Sequence, residues 1–334
     1  MRARSAGFAV VVMAALGTAP LHAQQTEEII LADPAFSLTF SAGYIATDLG
    51  LWQKHGITVK TVAITGIGAI NAVISGSAHF AQASASSFGR ATTRGQKLIA
   101  IATTIDRPFA QLILRKDIAL AAGFDPKASL EKRAAVIKGR TIAVDSINSM
   151  IHAYVRLIAI RAGVNPDDVR IAPMAPNSML AAFQSKQIDG FAMSLPWPLK
   201  PVQDGDALLI ASGPDGDPGD MIPFGHNLIV AKKDTCDQRK ALCMAMGQSI
   251  KDATAFIKNQ PAEAFALLKK RFPTLDDKLL AAAFEQLQKV TPSPPVPIRA
   301  VIENSEAFNV GAGLLKPEEK LTSFDGLFTD EFAK

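Results

Sequence analysis

The sequence lacks most of the residue patterns that announce a chemistry. Two cysteines in 334 residues exclude a disulfide-stapled scaffold and any zinc site built from CxxC pairs. No GxSxG elbow, HExxH pair, Walker loop or GxGxxG fingerprint occurs, so the commonest hydrolase, zinc-protease and nucleotide-binding signatures are missing. Lys and Arg total 35 against 31 Asp and Glu, scattered and never interleaved with aromatics in a block. Nucleic acid is therefore not an expected partner. Beyond the N-terminus no segment has the length and lack of charge of a membrane-spanning helix. What remains is an ordinary globular composition, 48% hydrophobic and 20% charged, on a chain long enough to favour two lobes over one domain.

The N-terminus reads as an export signal over residues 1–23. Arg2 and Arg4 form a basic n-region, Phe8–Leu16 a short apolar run, and Leu21-His22-Ala23 a small-residue site before Gln24. A membrane anchor needs ~20 apolar residues, and Gly17 and Pro20 break this run too early. The expected product is exported, with a bacterial periplasm the best match.

The mature chain alternates strands and helices. Ile29–Leu31 and Leu38–Phe40 read as strands, Ile45–His55 as a helix stopped at Gly56, and Ile57–Ile64 as a strand of alternating pattern. Thr65–Gly68 opens a helix at Ala69–Ser75, followed by a strand at His79–Ala83, a helix at Phe88–Arg94, and strands at Leu98–Thr103 and Leu112–Leu114. After a polar loop, Lys116–Ala135, a similar series resumes: strand Thr141–Val144, helix Ser149–Ala162, strand Val169–Ala172, helix Ser178–Gln184, strand Ile188–Met193. Such an order predicts mostly parallel sheets covered on both faces. Val59–Ser84 and Val169–Ser194 align without a gap at an offset of 110, with four identities in 26 positions, which leaves ancestry and two ordinary βαβ units both open. From Asp204 the chain loosens into the turn-rich Gly213–Asp220, resumes a strand at His226–Val230, and is helical thereafter: Asp237–Asn259, Ala262–Arg271, Asp276–Leu287, Ile298–Asn309 and Pro317–Lys320. That tail is expected to brace the first lobe. Lobe one is predicted over 26–115 plus 225–334 and lobe two over 116–224, with crossings near Leu112–Lys116 and His226–Ala231.

Chemistry-bearing residues are sparse. None of His55, His79, His152 and His226 is spaced like a metal-ligand pair; only His226, in a crossover strand, is weighed for ligand contact. Cys236 and Cys243 are seven apart. On one continuous helix that spacing rises ~10.5 Å, too far for a bridge. If Cys236 precedes the helix they can pair, so bridged and free thiols both stand. No metal and no cofactor is expected.

The informative feature is a set of small polar loops at strand ends. In an open parallel sheet a ligand sits beyond the carboxyl ends of the strands, facing helix N-termini. The candidate ligand residues are Ser41, Tyr44, Thr65, Gly66, Gly68, Ser84, Ser86, Arg107, Ser146, Asn148, Ser149, Trp197, His226 and Asn227. Hydroxyls and glycines suit a compact oxygen-bearing ligand. Tyr44 and Trp197 offer flat apolar contact, although Trp197, between two prolines, can equally plug the lobe junction.

Several segments resemble a family. Tyr44-Ile45-Ala46, Gly50-Leu51-Trp52 and His55-Gly56-Ile57 with Val59 are similar to the first-lobe motif of solute-binding proteins of ABC importers, in the branch for nitrate, sulfonates, taurine and thiamine precursors. So are Ala69–Val73 and Ser75–Ala81, with His79 where the family usually has Asp, and, in the second lobe, Lys138–Val144 and Gln187–Phe191 with Pro196. The resemblance covers about Leu38–Trp197. It implies a two-lobed type II periplasmic-binding-protein fold, closure on a small molecule, and delivery to a permease with its ATPase, the binder acting as a monomer without turnover. An enzyme on this fold, such as the pyrimidine synthase of thiamine biosynthesis, would carry a Cys-rich iron-binding segment and no export signal. A receptor module would need a membrane or signalling segment. For the ligand, helix N-termini and Arg107 favour an anion over a neutral pyrimidine. The apolar Ile67, Ile147, Leu195 and Trp197 favour a small organic anion, a sulfonate or carboxylate, over bare nitrate.

Overall fold

Among the described residues, ten strands form two five-stranded sheets. In the computed structural model, which describes residues 28–334, the first sheet holds β1 (Glu28–Asp33), β2 (Thr58–Ala63), β3 (Phe80–Ala83) and β4 (Leu98–Ile105). The second holds β5 (Ala110–Arg115), β6 (Thr141–Val144), β7 (Arg170–Pro173), β8 (Gly190–Ser194) and β9 (Ala207–Ser212), and β10 (Asn227–Lys232) returns to the first. The expected export signal lies outside the described residues.

The sheets share one plan. Their orders are β2-β1-β3-β10-β4 and β7-β6-β8-β5-β9. In each, the strand entering from the other sheet is the antiparallel one: β10 between β3 and β4, β5 between β8 and β9. The remaining pairs are parallel, with Ile29 opposite Val59 and Ile142 opposite Ile171. The segments aligned at an offset of 110 therefore occupy equivalent places, β2-helix-β3 and β7-helix-β8.

Burial on both faces explains the apolar runs. In β10, Leu228 and Val230 pack into one core cluster while Ile229 and Ala231 pack into another on the opposite face. Leu112 and Leu114 of β5 are likewise separated from Ile113. Side chains alternate across a strand, so a strand covered by helices on both sides must be apolar throughout. Where β5 meets β8, Gly190 is required: a Cβ there would stand 2.2 Å from the Ile113 carbonyl oxygen.

The structure corrects several sequence expectations. Leu38–Phe40 is a 3-10 turn, capped by the Ser37 hydroxyl, and not a strand. The helix expected over Ile45–His55 is two, Ser41–Asp48 and Leu51–Lys54, interrupted where Gly50 takes φ +64°. The loop expected over Lys116–Ala135 contains helices Lys116–Ala121 and Leu130–Ala134, and β9 follows where only a loose segment was expected. The crossings lie earlier along the chain than expected. β5 pairs wholly in the second sheet, so the first passage is 106–109, ahead of Leu112–Lys116, and the second is 213–226, ahead of the expected His226–Ala231. Both strands are buried runs that read alike in either sheet, and only their partners decide membership.

The C-terminal helices pack mainly on the first sheet's side. Helix Lys240–Asn259 lies on helix Ser41–Asp48 and on β4. Helix Arg299–Gly311 packs on Ala85–Thr93 but also on Met150–Arg161, placing Phe308 in the second sheet's core. The cysteines resolve in favour of a bridge. The helix breaks at Arg239, bringing Cys236 and Cys243 to a Cα separation of 5.5 Å in a disulfide. Replacing both cysteines by serine is expected to cost about 2–3 kcal/mol, through the unfolded-state entropy that the short loop removes. An unchanged denaturant midpoint would contradict this.

Candidate functional site

A cavity lies between the two sheets, at the carboxyl ends of the parallel strands. Pro34 and Ala35 follow β1, Gly66 and Ile67 follow β2, Ser84 and Ser87 follow β3, Asp145 and Ser149 follow β6, and Met193 and Ser194 end β8. His226 and Asn227 at the start of β10 complete the same rim, with Ser37, Thr39, Phe40, Ile70, Ala83, Met150 and Ile151. Its volume is about 60 Å3, far below the roughly 300–1,000 Å3 of most small-molecule sites. The two halves are pressed together.

Contacts among the described residues hold them so, these hydrogen bonds included. The Leu38 N–H donates to the Leu195 carbonyl at 3.0 Å, and the Trp197 Nε1–H to the Phe36 carbonyl at 2.7 Å. Arg90 Nη2 donates to the Asn148 carbonyl at 2.5 Å, and Ser194 Oγ meets His226 Nε2 at 3.1 Å. At Gly66, φ is +58° and a Cβ would fall 1.8 Å from Ser146 Oγ of the facing loop. Any side chain at Gly66 would push the halves apart.

Asn227, Thr39 and Asp145 are polar members of this lining. Asn227 donates both Nδ2 hydrogens, to Gln82 Oε1 at 2.8 Å and Thr104 Oγ1 at 2.7 Å, and its buried Oδ1 has no partner among the described residues. Thr39 Oγ1 is likewise buried and unpartnered. Unsatisfied buried polar atoms cost free energy unless something pairs with them, and both belong to residues of the cavity lining. Asp145 accepts from Ser149 Oγ at 2.5 Å, and burial pushes its carboxyl up to about 6. Among the described residues no lysine or arginine lines the cavity.

Two helices start here. Ser84 caps Ala85–Thr93 by accepting from the Ser87 N–H, and Ser149 caps Met150–Arg161 by accepting from the His152 N–H, each at 3.1 Å. The field at the second N-terminus is partly satisfied by the protein's own Asp145 carboxylate.

His226 is a structural tie. Its Nδ1 accepts the Phe109 N–H at 3.1 Å, so Nε2 carries the proton and donates to Ser194. Burial holds its pKa down to about 3. A Ser–His nucleophilic pair needs the reverse tautomer, with Nε2 free to take the serine proton. His79 is also structural: Nδ1 accepts the Ile30 N–H at 3.0 Å, holding the start of β3 against β1.

Of the sequence candidates, Gly66, Ser84, Ser149, His226 and Asn227 line the cavity. The others do not. Ser41 turns inward to the Leu38 carbonyl, and Ser86 is buried against Asn309 Oδ1 at 2.6 Å. Tyr44 packs beside Phe36, with the Arg271 guanidinium 4.9 Å from its ring centre. Thr65 is exposed, while Gly68 sits where a Cβ would meet Ile64 at 2.8 Å. Arg107 pairs with its neighbour Asp106 at 3.3 Å. Asn148 is exposed at φ +62°, and Ser146 stands at the junction with an unpartnered Oγ. Trp197 plugs the junction, its ring edge-on to Phe36 at 6.5 Å. Asp145 and Thr39 were not among the candidates. Asp145 directly follows the apolar run Thr141–Val144, a position that does mark a strand's carboxyl end. Thr39 had no such signal, because Leu38–Phe40 read as a strand.

Two α/β units of this plan around a cleft make the periplasmic-binding-protein fold. Similar solved structures include a Bordetella bronchiseptica RB50 protein, at TM-score 0.78 and 18% identity over 92% of this chain and 95% of that one. The alkanesulfonate-binding protein of Xanthomonas axonopodis pv. citri, bound to MOPS, superposes at TM-score 0.69 and 17% identity over 88% and 96%. The periplasmic nitrate-binding protein of Synechocystis PCC 6803 superposes at 0.65 and 14% over 92% and 87%. The chain belongs to the NMT1/THI5-like family, whose model matches residues 38–264. A Brucella abortus (strain 2308) protein, carrying only the provisional name of a binding protein, is 31% identical over 155 residues. That match spans 46% of this chain and less than half, 43%, of the relative.

Proposed function

We propose that this protein is the solute-binding component of an ABC importer, working in the periplasm as a monomer and delivering a small molecule to a permease and its ATPase. The observation that carries this reading is the cavity itself, shared between two sheets and lined by residues of both, Thr39 and Asn227 from one and Asp145 and Ser149 from the other. The two sheets act as lobes that part to admit ligand and close on it, with 106–109 and 213–226 as hinges. Family membership and the fold shared with sulfonate- and nitrate-binding proteins support it. The protonated Nε2 of His226 argues against turnover at Ser194.

For the ligand, the lining favours a head group with N–H donors over a bare organic anion. Asn227 Oδ1 and the Asp145 carboxylate are acceptors, and the cation expected from Arg107 stands outside the lining. A neutral aminopyrimidine-like molecule meets those acceptors. The helix N-termini at Ser84 and Ser149 favour the second reading, an organic anion, which would require Asp145 to be protonated.

The two readings have opposite pH signs. Donor-ligand affinity should fall, by about tenfold, as pH drops through about 6 and Asp145 loses its charge. Anion affinity should rise over the same interval. A thermal-shift panel of aminopyrimidines, sulfonates, aromatic carboxylates and nitrate, followed by calorimetry between pH 5 and 8, separates them. Asp145→Asn should erase the pH step. A panel member converted to product would overturn the binding-protein reading.

A further inference from the structure

Beside the cleft, on the outer side of Ile67 and Ile70, lies a second hollow of about 330 Å3. Its polar lining is Asn71, Ser87, Arg90, Arg94, Gln96 and Asn148, with no carboxylate. The arginines are four residues apart on the helix Ala85–Thr93 and its C-cap, so their guanidiniums belong to one face. They differ in their engagement. Arg90 is buried, donating to Ser86 Oγ at 3.2 Å and Asn309 Oδ1 at 3.0 Å as well as to the Asn148 carbonyl. Arg94 is exposed and makes no ion pair or side-chain hydrogen bond with a described residue. Burial, and then the charge of Arg94, lower the Arg90 pKa to about 10.

We propose that this hollow binds a small free oxyanion, of the phosphate or sulfate type, held chiefly by Arg94 and supported by the field of Arg90. Two neighbouring cations facing a concave site without a countercharge are the arrangement that planar guanidinium donors use to take oxyanions. Asn148 belongs to the second sheet's loop and Arg90 to a first-sheet helix, so the hollow is assembled only while the two halves are together. An oxyanion there therefore favours the joined arrangement and couples to whatever binds the cleft. The site is independent of the identity of the cleft ligand.

The test is inorganic phosphate titrated into the full chain, followed by thermal shift and calorimetry at ionic strength held constant with sodium chloride. A saturable rise in melting temperature is expected. Arg94→Ala should weaken phosphate binding about tenfold, with partial retention in Arg94→Lys, and circular dichroism will report that both variants fold. Phosphate binding that is unchanged in Arg94→Ala overturns the proposal. So does binding that Thr39→Val abolishes and Arg94→Ala spares, because that places the anion in the cleft. A phosphate response no larger than that of chloride overturns it as well.

Discussion

Trp197→Ala is expected to lower stability by about 3–5 kcal/mol and to expand the molecule. The ring is 7% exposed, packed in the second sheet's core cluster with Met179 and Phe183 and set edge-on to Phe36 of the first sheet's side. Truncation leaves a large cavity, the costliest kind of core substitution. It also removes the Nε1–H that satisfies the Phe36 carbonyl, one of the few hydrogen bonds between the halves. Trp197→Phe removes that donor but only part of the ring, so the cost should drop to about 2 kcal/mol. Denaturant unfolding gives the energies and small-angle scattering the dimensions. If Trp197→Ala melts like the parent with the same radius of gyration, the ring is not holding the junction.

A second large effect concerns pH. Asp33 ends β1, buried, with Oδ1 accepting from Gln82 Nε2 at 2.8 Å. Burial pushes its carboxyl up to about 7, against smaller lowering effects of Gln82 and Arg271. Between pH 4 and 7 the folded chain keeps a proton that the unfolded chain has released, so this residue's contribution to stability falls as pH rises through that window. The loss above pH 7 amounts to as much as about 4 kcal/mol. Asp145, raised to about 6, has the same sign over a narrower window. His226 and His152 have the opposite sign. Burial lowers them to about 3 and about 4, so their contributions grow as pH rises towards 6.5. The parent profile is therefore partly compensated, and Asp33→Asn should expose the tilt. Its amide oxygen can still accept from Gln82, and no charge is buried at any pH. The variant should match the parent near pH 4 and exceed it increasingly up to pH 8. A stability difference independent of pH would show that Asp33 is not the titrating group.

Much of this architecture follows from local sequence. Apolar runs such as Leu228–Ala231 require burial on two faces, and the caps Ser84 and Ser149 start helices where a βα turn needs them. The strand-end loops around Gly66, Ser84 and Ser149 were legible as a ligand rim for the same reason, since those residue types serve turns and helix starts. Other features depended on long-range partners. β5 and β10 look alike in sequence, and only their antiparallel neighbours assign them to opposite sheets. Cys236 and Cys243 meet because the helix breaks at Arg239, a residue with no breaker signal of its own. Thr39 and Asp145 became site residues when two loops more than a hundred positions apart closed on one cavity, and Arg107 dropped out once Asp106 paired with it. Composition and periodicity act over a turn or a strand, so they determined the elements and their buried faces. The charge of the cleft is a sum over residues that only the tertiary fold brings within a few ångströms, and it was decided there.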